Sequence, residues 1–395
     1  MISMLSIAAE TNKNRRFFTG GWSVMFTGLI MAMKARQWCA ELVSSTGKRL
    51  FSDRWLYLAI ACYCVAGATV LIIFGRGNEM AYGLYFDQWT YLFLFFMPVM
   101  AIILDWAWIV VRFNEQRSIA ILKTLSPHRL AHMLSGMALL MGLMFFQGTF
   151  TSIKNVLPDL RGGFLYDRWL ADIDMWLSFG TDPWVHLAGL FKNDVVRAAI
   201  DTNYGRVWFV LCFGGLFYVA TSPRAADLRV RYVSMFMLVW VVCGNILAGL
   251  FISAGPVFYG AVTGDKGRFA GLSDMISSGE WASNAVVYQR YLWSLHESGA
   301  TGLGSGISAF PSVHVGLITL NALFIKGISP KAGAVAFAYV AFVMASSVFL
   351  GWHYAVDGYA SLLVVVLMHY ALKRLMSPAQ RAPSAISPHV ATASA

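Results

Sequence analysis

Eight stretches of this chain are apolar over most or all of the length a helix needs to cross a bilayer. They are Trp55–Phe74, Thr90–Val111, Leu130–Phe150, Val207–Ala220, Tyr232–Ser253, Val313–Ile325, Ala332–Leu350 and Ala355–Leu372. The hydrocarbon core is about 30 Å thick, so a helix needs about 20 residues to cross it. Inside it every backbone N–H and C=O must be satisfied by the protein, which leaves helices or closed barrels. Barrel strands run only about 10 residues, so runs of this length exclude a barrel. The expected fold class is all-α: a polytopic helical membrane protein with about eight transmembrane helices plus interfacial helices. Composition agrees, since 58% of the residues are hydrophobic and only 13% charged, well below the roughly 25% of soluble domains.

The cations orient the spans. The net charge of +10 resides in short loops between apolar runs, which is the pattern of membrane orientation. No nucleic-acid partner is expected. Lys48, Arg49 and Arg54, then Arg112, Arg117, Lys123 and Arg129, then Arg224, Arg229 and Arg231, then Lys326 and Lys331, then Lys373, Arg374 and Arg381 would all face inside. Phe17–Met33 has cations on both flanks and reads as an interfacial helix more readily than as a span. Met1–Glu10 shows no basic region ahead of an apolar core, so no cleavable signal peptide is expected. Cys39, Cys62, Cys64, Cys212 and Cys243 lie mostly within apolar runs, without metal-ligand spacing. They read as small core residues with no disulfide. The expected organisation is an N-terminal cytoplasmic or interfacial region over 1–54, transmembrane helices over 55–150, a catalytic membrane domain over 151–376 and a disordered tail over 377–395. Two long outer segments, about 151–205 and 254–312, interrupt the spans. The first carries apolar residues at helical spacing and reads as partly interfacial. The second is rich in Gly and Ser and reads as a functional loop.

Two polar stretches stand at the ends of apolar runs, on the outer side. One is Ala309-Phe310-Pro311-Ser312-Val313-His314-Val315-Gly316, and the other is Gly351-Trp352-His353-Tyr354-Ala355-Val356-Asp357-Gly358. Ionisable residues at a membrane are expensive and are functional candidates by default. On one helix, His353 and Asp357 would share a face at i,i+4. An Asp there accepts a proton from one imidazole nitrogen and orients the other as a base or nucleophile. His314 would add a second proton-transfer group. His128, His132, His186, His296 and His369 lack such a pattern and read as structural.

Pro311-Ser312-Val313-His314, followed by His353-x-x-x-Asp357, resembles the second and third signature motifs of the phosphatidic acid phosphatase type 2 superfamily. Phe310–Val315, Gly351–Asp357 and Ser253-Ala254-Gly255-Pro256-Val257-Phe258-Tyr259 are similar to its inositol phosphorylceramide synthase-like branch. The resemblance implies that His353 is the nucleophile and forms a phosphohistidine. Asp357 would hold its ring. His314 would protonate the leaving group and then deprotonate the acceptor. Ser312 and backbone N–H groups such as that of Val313 would bind phosphate oxygens. The division suits phosphoryl transfer, which needs in-line placement and stabilised equatorial charge, and histidine can supply acid and base near neutral pH.

The family's first motif supplies a Lys and an Arg-Pro, and Ser253–Tyr259 holds neither cation. Where the third motif carries Ser-Arg, this chain has Ser346 and Ser347. Lys266 and Arg268 are therefore the candidate phosphate-binding cations, with Arg290 behind them. The expected function is a membrane lipid phosphotransferase, acting on a phospholipid or lipid phosphate with a hydroxyl acceptor such as ceramide or a glycolipid. Water as acceptor would make it a lipid phosphatase. No cofactor is expected. A metal site of His314, His353 and Asp357 is a further chemical option, and a transporter with a histidine proton relay or a non-catalytic scaffold are alternatives of another class. The topology places the site at the extracytoplasmic face, in an expected bacterial inner membrane.

Overall fold

The computed structural model describes residues 33–112, 116–277 and 283–376. These residues are helical with no strand among them. Seven helices are long and apolar enough to cross a membrane: α1 (Arg54–Ile73), α2 (Tyr82–Arg112), α3 (Pro127–Arg161), α5 (Asp194–Thr221), α6 (Pro223–Leu250), α8 (Pro330–Phe349) and α9 (Ala355–Met376). The shorter apolar helix α7 (Val313–Ile328) and the amphipathic helix α4 (Asp167–Leu177) complete the frame. The protein is an integral membrane protein of all-α class. The proposed interfacial helix over Phe17–Met33 and the tail over 377–395 lie, apart from Met33, outside the described residues.

The backbone divides into two compact units. One holds the described residues through Ala68, with Tyr82–Gly148 and Leu216–Asp227. Within it, Phe93, Leu139 and Leu140 are fully buried, and the Trp89 indole N–H donates to the Leu140 carbonyl at 2.7 Å. Aromatic contacts such as Tyr63 on Phe146, 4.5 Å between centroids, fill the spaces. Asp105, a carboxylate inside an apolar run, forms an ion pair with Arg129.

The second unit comprises Thr69–Ala81, Thr149–Gly215 and the residues from Leu228 on. Its centre is α7. Val315–Leu320 and Ala322–Phe324 are buried on every side, as expected of a helix that is apolar all round. Its 16 residues rise only about 24 Å, less than a bilayer core, but a helix enclosed by others need not meet lipid along its length. Ser329 ends it sharply. The Ser329 side chain accepts the Ala332 N–H and Pro330 takes the first position of α8, the combination that starts a helix. In the membrane interior, polar contacts hold helices together more than apolar burial does. Here Tyr232 donates to the Asn321 side-chain carbonyl at 2.6 Å, and the Asn321 amide donates to the Leu211 carbonyl at 3.3 Å.

Two sequence expectations change. The fourth span, read as Val207–Ala220, begins at Asp194, because its first turns are amphipathic rather than apolar. The second outer segment is not one long loop. It holds helices Tyr259–Thr263, Ala270–Ser277 and Asn284–Ser298, and among its described residues the longest stretch without a helix is 299–312.

Candidate active site

Three irregular segments of the second unit are laced together ahead of α7 and α9. The Ser253 carbonyl accepts the Ala309 N–H at 2.8 Å, and the Gly351 carbonyl accepts the Val257 N–H at 3.1 Å. The Ser253 hydroxyl accepts the Phe310 N–H at 3.2 Å. Gly255 permits this lacing. Its φ is +100°, and a Cβ there would stand 2.7 Å from the Trp352 carbonyl oxygen, so a larger residue would force the two segments apart.

Two buried carboxylates of α4 fix the same segments from behind. Asp167 accepts the backbone N–H groups of Ala254 and Gly255 at 2.8 and 2.9 Å and the Tyr354 hydroxyl at 2.8 Å. One helical face further along, Asp174 accepts the N–H groups of Ala355 and Val356 at 2.6 and 2.8 Å. These are orphan donors of the first turn of α9, satisfied by another segment's side chain. Burial pushes the Asp174 carboxyl up to about 7, against the lowering pull of its two N–H donors. The opposite face of α4 exposes Trp169 and Trp176, the residue type of interfacial belts.

His353 lies in the turn between α8 and α9, and Asp357 in the first turn of α9. The His353 Nδ1–H donates to Asp357 Oδ2 at 3.2 Å, and the same oxygen accepts the Tyr354 N–H at 3.0 Å. His353 is 8% exposed and Asp357 fully buried. Burial pushes the His353 imidazole down to about 3, with the Ala309 carbonyl opposing and the Lys154 ammonium assisting. Burial thus favours the neutral ring, and a proton on Nδ1 facing Asp357 leaves the lone pair on the other nitrogen.

His314 is the second residue of α7. Its ring is stacked on Tyr204, 4.8 Å away and 7° from parallel, and on Trp208, 4.0 Å away. The Trp208 indole N–H also donates to the His314 carbonyl at 3.0 Å. Both aromatics come from α5 at the π-helical stretch Asn203–Val207 and the residue after it, a local irregularity often found at functional sites. The centroids of His314 and His353 are 6.5 Å apart, about twice the 3 Å over which reacting atoms or proton donors engage a substrate. Ser312 caps α7. Its hydroxyl accepts the Val315 N–H at 3.3 Å, and its own N–H donates to the Asp357 carbonyl at 3.2 Å. The start of α7 therefore presents backbone N–H groups, Val313 included, beside both histidines, as anion sites do.

The cations sit differently from the sequence expectation. Arg268 is committed to structure: it donates to Asp172 at 2.5 Å, Asp182 at 3.1 Å and the Ala171 carbonyl at 2.7 Å. Lys266 and Arg290 are exposed. The cation that acts on both imidazoles is Lys154 of α3. A Cβ on Gly306, φ +93°, would lie 2.8 Å from Lys154 Cγ, so the glycine-rich segment packs directly on the lysine stem. Among the described residues no carboxylate pairs with Lys154. The sequence hides it because the apolar run ends at Phe150 while the helix continues to Arg161. The signal was one lone lysine, four residues past that run. Asp167 and Asp174 were visible as acids on one helical face, but nothing in sequence shows which backbone they hold. Among the described residues, no three or more His, Cys, Asp or Glu side chains converge as a metal site.

Residues 168–371, just over half of the 395, match the family model for the PAP2 superfamily. The chain belongs to the PAP2 superfamily. It is a membrane-embedded phosphatase or phosphotransferase, and the matched segment contains both histidines and Asp357. Lys154 lies outside it. No match was found among curated proteins or among solved structures.

Proposed function

We propose that this PAP2 protein is a lipid phosphotransferase of the inositol phosphorylceramide synthase-like kind, working through a phosphohistidine on His353. The observation that carries the reading is the pair of imidazoles 6.5 Å apart, one of them bonded to a buried aspartate. In the first step the free nitrogen of His353 attacks phosphorus. The bond from phosphorus to the leaving oxygen breaks, and His314 supplies that oxygen's proton. In the second step His314 takes the proton of an acceptor hydroxyl, the new oxygen–phosphorus bond forms and the nitrogen–phosphorus bond breaks. Asp357 keeps the proton on Nδ1 and offsets the charge that the ring gains. Lys154 and the first N–H groups of α7 hold the equatorial oxygens, where charge accumulates. Lys154 takes this role in preference to Lys266 and Arg268.

The cation-rich loops support histidine turns at the extracytoplasmic face; in our reading the membrane is a bacterial inner membrane and the substrate a phospholipid or lipid phosphate entering from the outer leaflet. The test is direct. Purified protein is incubated with labelled phosphatidylinositol, with and without ceramide, and the products are identified by mass spectrometry. A phosphorylated ceramide product together with diacylglycerol supports transfer. Inositol phosphate and diacylglycerol without a ceramide product would make water the acceptor, the lipid phosphatase alternative. No turnover on a panel of lipid phosphates overturns the reading.

A further inference from the structure

Tyr204 contributes more to the site than a ring. It is 6% exposed, and its hydroxyl is buried with no hydrogen-bond partner among the described residues. A buried hydroxyl left without a partner is destabilising, and native proteins keep few of them. The position of this one is informative. The ring lies flat against His314, and the hydroxyl is within electrostatic reach of the Asp357 carboxylate. It therefore lies beside both halves of the site. Asp357 Oδ1 is also buried without a partner among the described residues.

We propose that the Tyr204 hydroxyl is a phosphate contact, donating to a non-bridging oxygen of the lipid phosphate while that group lies between His314 and His353. The inference rests on the phosphoryl-transfer reading above. It adds a neutral donor to the charge of Lys154 and places it on the side of the phosphate nearest His314. The π-helical stretch that holds Tyr204 then has a chemical purpose, since it sets Tyr204 and Trp208 against the same ring.

Tyr204→Phe keeps the stack and removes only the oxygen. Two measurements read its effect. In the His353→Ala background, where covalent transfer is blocked, the Kd for short-chain phosphatidic acid in micelles is compared with Tyr and with Phe at position 204. A bond to a charged oxygen predicts a Kd raised between about 10- and 100-fold with Phe. Otherwise wild-type protein carrying Tyr204→Phe should lose kcat/KM by a similar factor, with a thermal midpoint no lower than wild type. An unchanged Kd with a reduced kcat would show that the hydroxyl works through Asp357 and overturn the contact. Unchanged Kd and kcat would mean that water satisfies it, and a clearly lowered midpoint would reveal a structural partner; either result also overturns it. Turnover by His353→Ala would instead sink the nucleophile assignment, and the Kd comparison would still decide Tyr204.

Discussion

The two histidines stand 6.5 Å apart, yet their surroundings are built from opposite materials. His353 sits in a polar cage. Asp357 holds its ring, and α4 fixes the adjoining backbone through Asp167 and Asp174. His314 sits in an aromatic sleeve of Tyr204 and Trp208, with no carboxylate bonded to its ring among the described residues. The difference matches the two tasks of the proposed mechanism. A nucleophile must be held in one tautomer and must bear positive charge once phosphorylated, so it needs an acid beneath it. A group that gives and takes a proton in alternate steps must have its ring aimed at the reacting oxygens. Stacked rings restrain its orientation without adding a formal charge.

The largest effect should come from breaking the cage at its centre. On the proposed mechanism His353→Ala removes the attacking nitrogen, and turnover should fall by at least about 10³-fold. Wild type should form an acid-labile phosphoprotein that His353→Ala lacks, and EDTA should leave the wild-type rate unchanged. Asp357→Asn should lose about as much, since an amide cannot fix the tautomer in the same way. Phosphoprotein persisting in His353→Ala would move the nucleophile elsewhere.

The next effect separates the two surroundings by chemistry. His314→Ala should slow transfer from a lipid by between about 10² and 10⁴-fold, the range for loss of a general acid–base group. With p-nitrophenyl phosphate the leaving group needs no proton, so the first step should recover. Phosphoprotein should then accumulate, because the second step still lacks its base. An equal loss on both substrates, without accumulation, would place His314 in binding rather than proton transfer.

A smaller effect tests the outer wall of the cage. Asp174→Asn replaces a carboxylate that accepts two N–H groups with an amide that offers one acceptor. Turnover should fall about tenfold, the lower end for residues that orient a reacting group. The pH profile should change in shape as well. The Asp174 carboxyl is pushed up to about 7 by burial, so below that pH it is protonated and loses acceptor capacity. Wild-type kcat on a phosphodiester lipid should therefore fall as pH drops through 7, and Asp174→Asn should lack that limb. Since His353 is held down to about 3, its own protonation does not produce the limb. A limb of unchanged position in Asp174→Asn would show that another group titrates.

The spans were legible because the bilayer imposes a length and a composition that any reader can count. The ends of the spans were not. The fourth span starts at Asp194 and the third continues to Arg161, in both cases through turns whose mixed polarity is paid for by protein neighbours rather than by lipid. That misreading concealed Lys154. His314, His353 and Asp357 could be read because their spacing belongs to two short local motifs. Asp167 and Asp174 could be seen but not interpreted, since each bonds to backbone far along the chain and one of its partners, Val356, is 182 positions away. The choice of Arg268 as a phosphate ligand rested on its charge alone. Asp172 and Asp182, which occupy it, become neighbours only after α4 folds back.

The smallest effect should come from trimming the sleeve. Trp208→Phe retains an aromatic face against His314 but deletes the indole N–H that bonds the His314 carbonyl at 3.0 Å. A neutral hydrogen bond and part of a stack are each worth about 1 kcal/mol or less. Only a fraction of that bears on ring orientation, so lipid turnover should fall about threefold. The loss should vanish with p-nitrophenyl phosphate in the phosphoprotein-forming step, because that step does not draw on His314. A loss confined to thermal midpoint, with both substrates turned over at the wild-type rate, would mean that the sleeve packs α5 against α7 and does nothing to aim the imidazole.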